Sequence, residues 1–280
     1  MKTDARRLLG RVGVAVVVLA AVGWIVLWWV AEGLFFWPDH LDHGAAATLA
    51  VAPQEVRFAA PDGPPLHGWW LRSSTPRRGV VVYCHGNAAN LTLHARYVGW
   101  LPAHGFDVLV FDYRGYGRSE GEPTREGLVD DAVAALDLAL REEPDRTVVF
   151  GHSLGGAIAV VAASRRPAVR AVVAESTFPS FRAAARASAP WLAPVVPSVI
   201  AVGCDPETVV GSLAPRPLLV IHGTGDPIVP FRLGQALFGA ASEPKEFWEV
   251  EVADHFTPWK ALGSEFEHRI VEFLGRALGD

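Results

Sequence analysis

Gly151-His152-Ser153-Leu154-Gly155-Gly156 follows the apolar run Thr147-Val148-Val149-Phe150 and leads into a helix-forming run from Ala157 to Arg165. A serine with glycines two residues away on either side fits a tight strand-to-helix turn. Such a turn lifts the hydroxyl out of a sheet and leaves helix-terminal N–H groups beside it. A serine hydroxyl is a poor nucleophile near neutral pH, so it needs a base, and the base needs an acceptor that fixes its tautomer. Downstream, Leu218-Leu219-Val220-Ile221-His222-Gly223 reads as a strand running into a loop that carries Asp226 before Pro227, and Glu246 to Val252 reads as a strand followed by Ala253-Asp254-His255. Ser153, Asp226 and His255 therefore stand in the order nucleophile, acid, base, each just beyond the carboxyl end of a strand.

The competing residues are few. Glu175 ends the strand before that of Asp226 and also offers a carboxylate, but a loop Asp before Pro suits the role better. Asp254 adjoins His255 and should point elsewhere, His268 falls in a terminal helical pattern, and His152 should pack and hydrogen-bond within the turn. Acyl transfer also requires donors for the developing oxyanion, one N–H after the nucleophile and one from a loop after an earlier strand. Leu154 supplies the first. The loop His85-Gly86-Asn87-Ala88-Ala89-Asn90 after Val80–Cys84 supplies the second, with Asn87 N–H preferred and Ala88 in reserve.

The elements that must position these residues can be read from the apolar pattern. Gln54 to Ala60 and Leu66 to Arg72, separated by Pro61-Asp62-Gly63-Pro64-Pro65, read as an antiparallel hairpin. Short apolar runs at 79–84, 107–112, 147–151, 170–175, 218–222 and 246–252 suit strands buried on both faces of a parallel sheet. Helical patterns lie between them, most plainly Thr124 to Glu142, where Leu128, Ala132, Leu136 and Leu140 recur behind a Thr124 cap. Alternation of strand and helix makes the class α/β, with ligands expected at the carboxyl ends of the strands.

With 280 residues, 50% of them hydrophobic, the chain can bury one large core. A net charge of -5 with scattered basic residues argues against a nucleic-acid partner. Two cysteines, Cys84 and Cys204, are too few for a disulfide framework and lack metal-ligand spacing; Cys84 ends an apolar run and should be a buried thiol. Asp39-His40-Leu41-Asp42-His43 lacks the further ligands a zinc site needs. Neither a metal nor a cofactor is expected.

The N-terminus breaks this composition. Val12 to Ala31 has no charged residue and is long enough to cross a bilayer as a helix. Lys2, Arg6, Arg7 and Arg11 precede it, and the next basic residue is Arg57. That imbalance places the N-terminus in the cytoplasm and the remainder on the non-cytoplasmic side. Trp24, Trp28, Trp29 and Trp37 crowd the far end, where indole rings favour the lipid boundary. The expected organisation is a basic tail over 1–11, a transmembrane helix over 12–31, a linker over 32–50 and a catalytic domain over 51–280 with a lid at 176–213.

From about Val51 onwards the chain resembles the Bem46-type branch of the α/β-hydrolase superfamily. The resemblance is carried by His85-Gly86-Asn87-Ala88, by Asp112-Tyr113-Arg114-Gly115-Tyr116-Gly117-Arg118-Ser119, by Gly151 to Gly156, and by His222-Gly223 with Asp226. It implies an α/β-hydrolase fold, a single N-terminal tether, and hydrolysis of carboxylic esters or thioesters. His255 follows Asp254 where relatives often have glycine, a departure from the pattern. The block from Asp112 to Ser119 reads as a structural turn.

The expected substrate is a small-molecule or lipid acyl ester. Phe178, Phe181, Trp191, Leu192, Val195, Val196 and Ile200 of the lid either line an acyl pocket or simply pack. A peptidase of the same fold and a catalytically idle tethered binding protein are the alternatives, the second disfavoured by the intact set of catalytic residue types.

Overall fold

The computed structural model describes residues 11, 13–19, 21–23, 35–61, 63–192, 196, 200, 202–251, 253–255 and 258–280. Its centre is an eight-stranded sheet. The strands are β1 (Gln54–Ala59), β2 (Pro65–Leu71), β3 (Gly79–Cys84), β4 (Phe106–Phe111), β5 (Thr147–His152), β6 (Val172–Glu175), β7 (Leu218–Gly223) and β8 (Lys245–Val250), in the spatial order 8-7-6-5-3-4-2-1. The β1–β2 and β2–β4 pairs are antiparallel, and β3 to β8 run parallel. The runs read from the sequence coincide with these strands to within about two residues.

The uninterrupted apolar character of the strands follows from burial on both faces. Alternate residues feed two cores. Val82, Leu109, Val149, Val172 and Val220 face one, closed by α1 (Arg125–Glu142), α2 (Leu154–Ser164) and α4 (Phe231–Ala240). Val81, Val108, Phe150, Val173 and Ile221 face the other, closed by Phe266, Ile270 and Phe273 of α5 (Ser264–Leu278). α1 starts at Thr124, whose hydroxyl accepts from Gly127 N–H at 3.0 Å, and its Leu128, Ala132 and Leu136 are buried at helical spacing. Truncating such a leucine to alanine costs about 2–5 kcal/mol.

Three regions qualify the sequence reading. Residues 11, 13–19 and 21–23 are helical; among the described residues no helix is long and apolar enough to cross a membrane, and the rest of the span expected over 12–31 lies outside them. Part of the segment expected as a linker is bound to the domain: Phe36 is buried, and Trp37–Pro38 pairs in parallel with Ala88–Ala89. In the lid region α3 (Phe181–Ser188) is preceded by Ser180, whose hydroxyl accepts from Ala183 N–H. Phe178, Phe181, Val196 and Ile200 pack into the first core, Trp191 is exposed, and Val195 lies outside the described residues. Both cysteines are free, Cys84 buried.

Candidate active site

Ser153 occupies the single-residue corner between β5 and α2 with φ 57° and ψ −121°. A non-glycine residue at positive φ is strained and persists only where its surroundings hold it. Ser153 N–H donates to Glu175 O at 2.8 Å, and Thr177 Oγ1 donates to Ser153 O at 2.7 Å. The glycines are required by packing. A Cβ at Gly151 would stand 2.1 Å from Gly155 O, and one at Gly155 would stand 1.9 Å from Cys84 O at the end of β3.

The candidate base and acid arrive on adjacent loops. His255 follows β8 and Asp226 follows β7, and Gly225 N–H donates to Ala253 O at 3.1 Å, which ties the loops together. His255 Nε2 lies 2.9 Å from Ser153 Oγ, and its Nδ1 lies 2.7 Å from Asp226 Oδ2. Because Asp226 is ionised, Nδ1 carries the proton and Nε2 is left to accept from the serine hydroxyl. Burial alone would raise the Asp226 pKa. The hydrogen bonds from His222 and His255 and the Val229 N–H outweigh it and hold the carboxyl well below the usual range. Asp226 Oδ1 also accepts from the N–H groups of Ile228 and Val229 at 2.9 and 2.8 Å, so both oxygens are fixed.

Glu175 ends β6, fully desolvated. Burial first, then the charge of Asp226, pushes its carboxyl up to about 8, so it is largely neutral at pH 7. The two carboxyls are thus held in opposite protonation states, and only Asp226 is bonded to His255. His152 donates from Nε2 to His255 O at 2.9 Å and so braces the His255 backbone. Burial pushes the His152 pKa down to about 3, which keeps the ring neutral. Asp254 is exposed, and His268 is exposed on α5.

The Asn87 loop reaches Ser153. A Cβ at Gly86 would lie 3.6 Å from Ser153 Cβ. Leu154 N–H opens α2 and is one of the helix-terminal groups without an intrahelical acceptor. Asn87 N–H likewise has no acceptor among the described residues. The sequence reading missed how this loop is held. His85 Nδ1 donates to Gly86 O at 2.7 Å, and Tyr113 O–H donates to His85 O at 3.2 Å. Leu91 N–H donates to Asp112 Oδ1 at 2.7 Å, and Tyr116 O–H donates to Asn87 Oδ1 at 2.9 Å. The Asp112 to Ser119 block is therefore a brace for the Asn87 loop. No local spacing signals this, because the partners are 21 to 29 residues apart. Among the described residues no group of His, Cys, Asp and Glu could hold a metal ion.

A mostly parallel sheet clad by helices, with a serine on a strained strand-to-helix corner at its carboxyl edge, defines an α/β-hydrolase fold. The sequence comparisons agree, and the chain belongs to the α/β-hydrolase superfamily. A family model described as serine aminopeptidase, S33 matches residues 75–207. The protein YfhR of Escherichia coli O157:H7 is 34% identical over 259 residues, 89% of each chain. The α/β-hydrolase domain-containing protein WAV2 of Arabidopsis thaliana is 30% identical over 81% of this chain and 80% of its own. Among solved structures, the Pyrococcus furiosus esterase Pf2001 superposes with a TM-score of 0.72 at 22% identity, over 87% of this chain and 98% of its own.

Proposed function

We propose that this chain is a serine hydrolase of the Bem46-type branch, held to a membrane by its N-terminal segment, which cleaves carboxylic esters or thioesters through an acyl-enzyme on Ser153. The observation that carries the reading is the unbroken hydrogen-bonded line from Ser153 Oγ through His255 to Asp226. In the first half-reaction Oγ bonds to the acyl carbon while its proton passes to His255 Nε2. The carbonyl oxygen takes the negative charge and is met by Asn87 and Leu154 N–H. The intermediate collapses, the bond to the alcohol or thiol breaks, and His255 returns the proton to that leaving group. Water, deprotonated by the same Nε2, then releases the acid and restores Ser153.

A fluorophosphonate probe should label the wild-type protein and not Ser153→Ala; equal labelling of a folded Ser153→Ala would overturn the reading. An esterase of the same fold supports ester chemistry, whereas the description of the matching family model favours a peptidase. Hydrolysis of p-nitrophenyl esters of graded chain length beside aminoacyl and peptide substrates separates the two.

Anchoring is supported by the uncharged run from Val12 to Ala31 and by Val14, Val16, Val17, Val18, Leu19 and Val22, which are helical and more than half exposed. Apolar helical surface left without protein cover is suited to lipid. The basic residues at 2, 6, 7 and 11 favour a cytoplasmic N-terminus and a hydrolase domain on the other side. Protease added to intact cells or spheroplasts should degrade the domain; protection until permeabilisation would reverse the topology.

A further inference from the structure

The stretch from Phe35 to His43 belongs to no strand of the main sheet, yet it is fastened across the sheet's carboxyl edge. The Phe35 ring meets that of Phe181 in α3 edge-on at 5.4 Å, and Phe36 is buried in the first core. Asp39 O accepts from Gly117 N–H at 2.9 Å, and Asp39 Oδ1 accepts from Asn90 Nδ2 at 2.7 Å. Between these ties Trp37–Pro38 pairs with Ala88–Ala89. This strap thus touches α3 of the lid region and the Asn87 loop at once.

That loop needs external support. Ala89 sits at φ 64°, a left-handed conformation that a residue with a Cβ adopts reluctantly. Asn87 is where the support converges. Its Oδ1 accepts from Trp37 N–H at 3.0 Å and from Tyr116 O–H at 2.9 Å, one donor 50 residues upstream and the other 29 downstream. Two donors occupy both lone pairs of the amide oxygen and fix the side chain at both sides. A fixed side chain restrains its own backbone, and the direction of the adjoining N–H follows.

We infer that Asn87 is a positioning residue through its side chain: the Trp37 N–H and Tyr116 O–H clamp on Oδ1 aims the Asn87 N–H at the oxyanion, so that the strap leading from the N-terminal apolar helix forms part of the active site. The inference rests on the proposed acyl transfer at Ser153. An oxyanion donor is matched to the transition state and less to the bound substrate, so loosening the clamp acts on kcat more than on KM.

The test uses the full-length protein in detergent micelles and hydrolysis of p-nitrophenyl butyrate, with melting temperature as the control for folding. Asn87→Leu removes the acceptor and should lower kcat about 10- to 100-fold with KM changed less than about threefold. Asn87→Asp keeps an acceptor oxygen and should restore most of that loss. Tyr116→Phe and Trp37→Pro each remove one donor while leaving Asn87 in place, and each should lower kcat about 3- to 10-fold alone and add nothing in the Asn87→Leu background. A kcat of Asn87→Leu within twofold of wild type, or equal effects of Tyr116→Phe in both backgrounds, would overturn the clamp. If Asn87→Leu does not fold, Tyr116→Phe decides alone: unchanged kcat with raised KM overturns the inference. A wild-type protein that neither hydrolyses the ester nor reacts with fluorophosphonate overturns the acyl-transfer reading and the clamp's role with it, whereas a reactive wild type with unaffected variants overturns the clamp alone.

Discussion

At the amino-terminal edge of the parallel strands, charged side chains sit in pairs at or near the surface; at the carboxyl edge, two carboxyls are buried and their protonation is displaced in opposite directions. Arg72 bonds Asp107 at 2.9 Å and Glu142 at 2.6 Å, Arg77 meets Glu143 at 2.8 Å, and Arg78 and Arg146 both meet Asp280 near the end of α5. Asp107 is buried, but the guanidiniums and the other carboxylates are about a quarter to two-fifths exposed, and pairs exposed in this way contribute about 0–1 kcal/mol each. At the other edge Ser153, Glu175, Asp226 and His255 are each less than a tenth exposed. There, desolvation makes every neighbouring charge and hydrogen bond count, so one carboxyl is held ionised and the next neutral within one site. The same residue types pair beside water at one end and are held in opposite protonation states away from it at the other.

Asp226→Asn should break the contrast most severely. Losing the acceptor that sets the His255 tautomer should lower kcat by about 10³–10⁴-fold, while Glu175→Gln should leave kcat within about tenfold. The opposite ranking, with both variants folded, would move the acid to Glu175. The second largest effect is on stability. Gly155→Ala drives a Cβ against backbone atoms of Cys84 and His85 and should lower stability by about 3 kcal/mol or more. Gly239→Ala, in exposed helix with nothing within 4 Å of the added Cβ, should raise it by about 0.5–1 kcal/mol. Differential scanning calorimetry of the pair reads both signs.

The buried acid gives a pH test. Glu175 has a folded pKa raised to about 8 against an unfolded value of about 4.3. The folded state therefore holds the proton that the unfolded state has lost, and stability falls as pH rises between those values. Glu175→Gln should remove this slope, so its denaturation midpoint should gain on wild type from pH 5 to pH 8; parallel curves would show that Glu175 is ionised in the fold. For Asp226 the sign is reversed. Its depressed pKa contributes stability present above about pH 4 and lost as pH falls further, and Asp226→Asn should lack that acid loss. The smallest effect belongs to the amino edge. Asp280→Asn should cost under about 1 kcal/mol, less still at high salt, with kcat unchanged.

Much of the architecture was legible because it is local. A strand buried on both faces is a short apolar run, and Thr147 to Phe150 reads as one without any knowledge of its neighbours. The corner at Ser153 is local in part: the clash that demands glycine at 151 arises with Gly155 inside the turn, whereas glycine at 155 is demanded by Cys84 and His85 at the end of β3. Thr124 as a helix cap and Ser153, Asp226 and His255 as the groups to test were likewise available from residue order and the rule that sites gather at strand carboxyl ends.

The protonation of Glu175 and Asp226 was of another kind. Residue order favoured the loop carboxylate of Asp226 over Glu175 at a strand end, but only the packing of the loops after β7 and β8 sets Asp226 against His255 and buries Glu175 unionised. The fate of Phe178, Phe181, Val196 and Ile200 was undecidable from periodicity and fell to core packing. The brace of Trp37 and Tyr116 on Asn87 left no trace in the spacing of either partner. Propensity and steric rules act over a handful of residues and are written in the sequence directly. A hydrogen bond between residues 50 positions apart exists only once sheet order and helix packing have brought its ends together, so the sequence named the groups and the tertiary structure decided which of them meet.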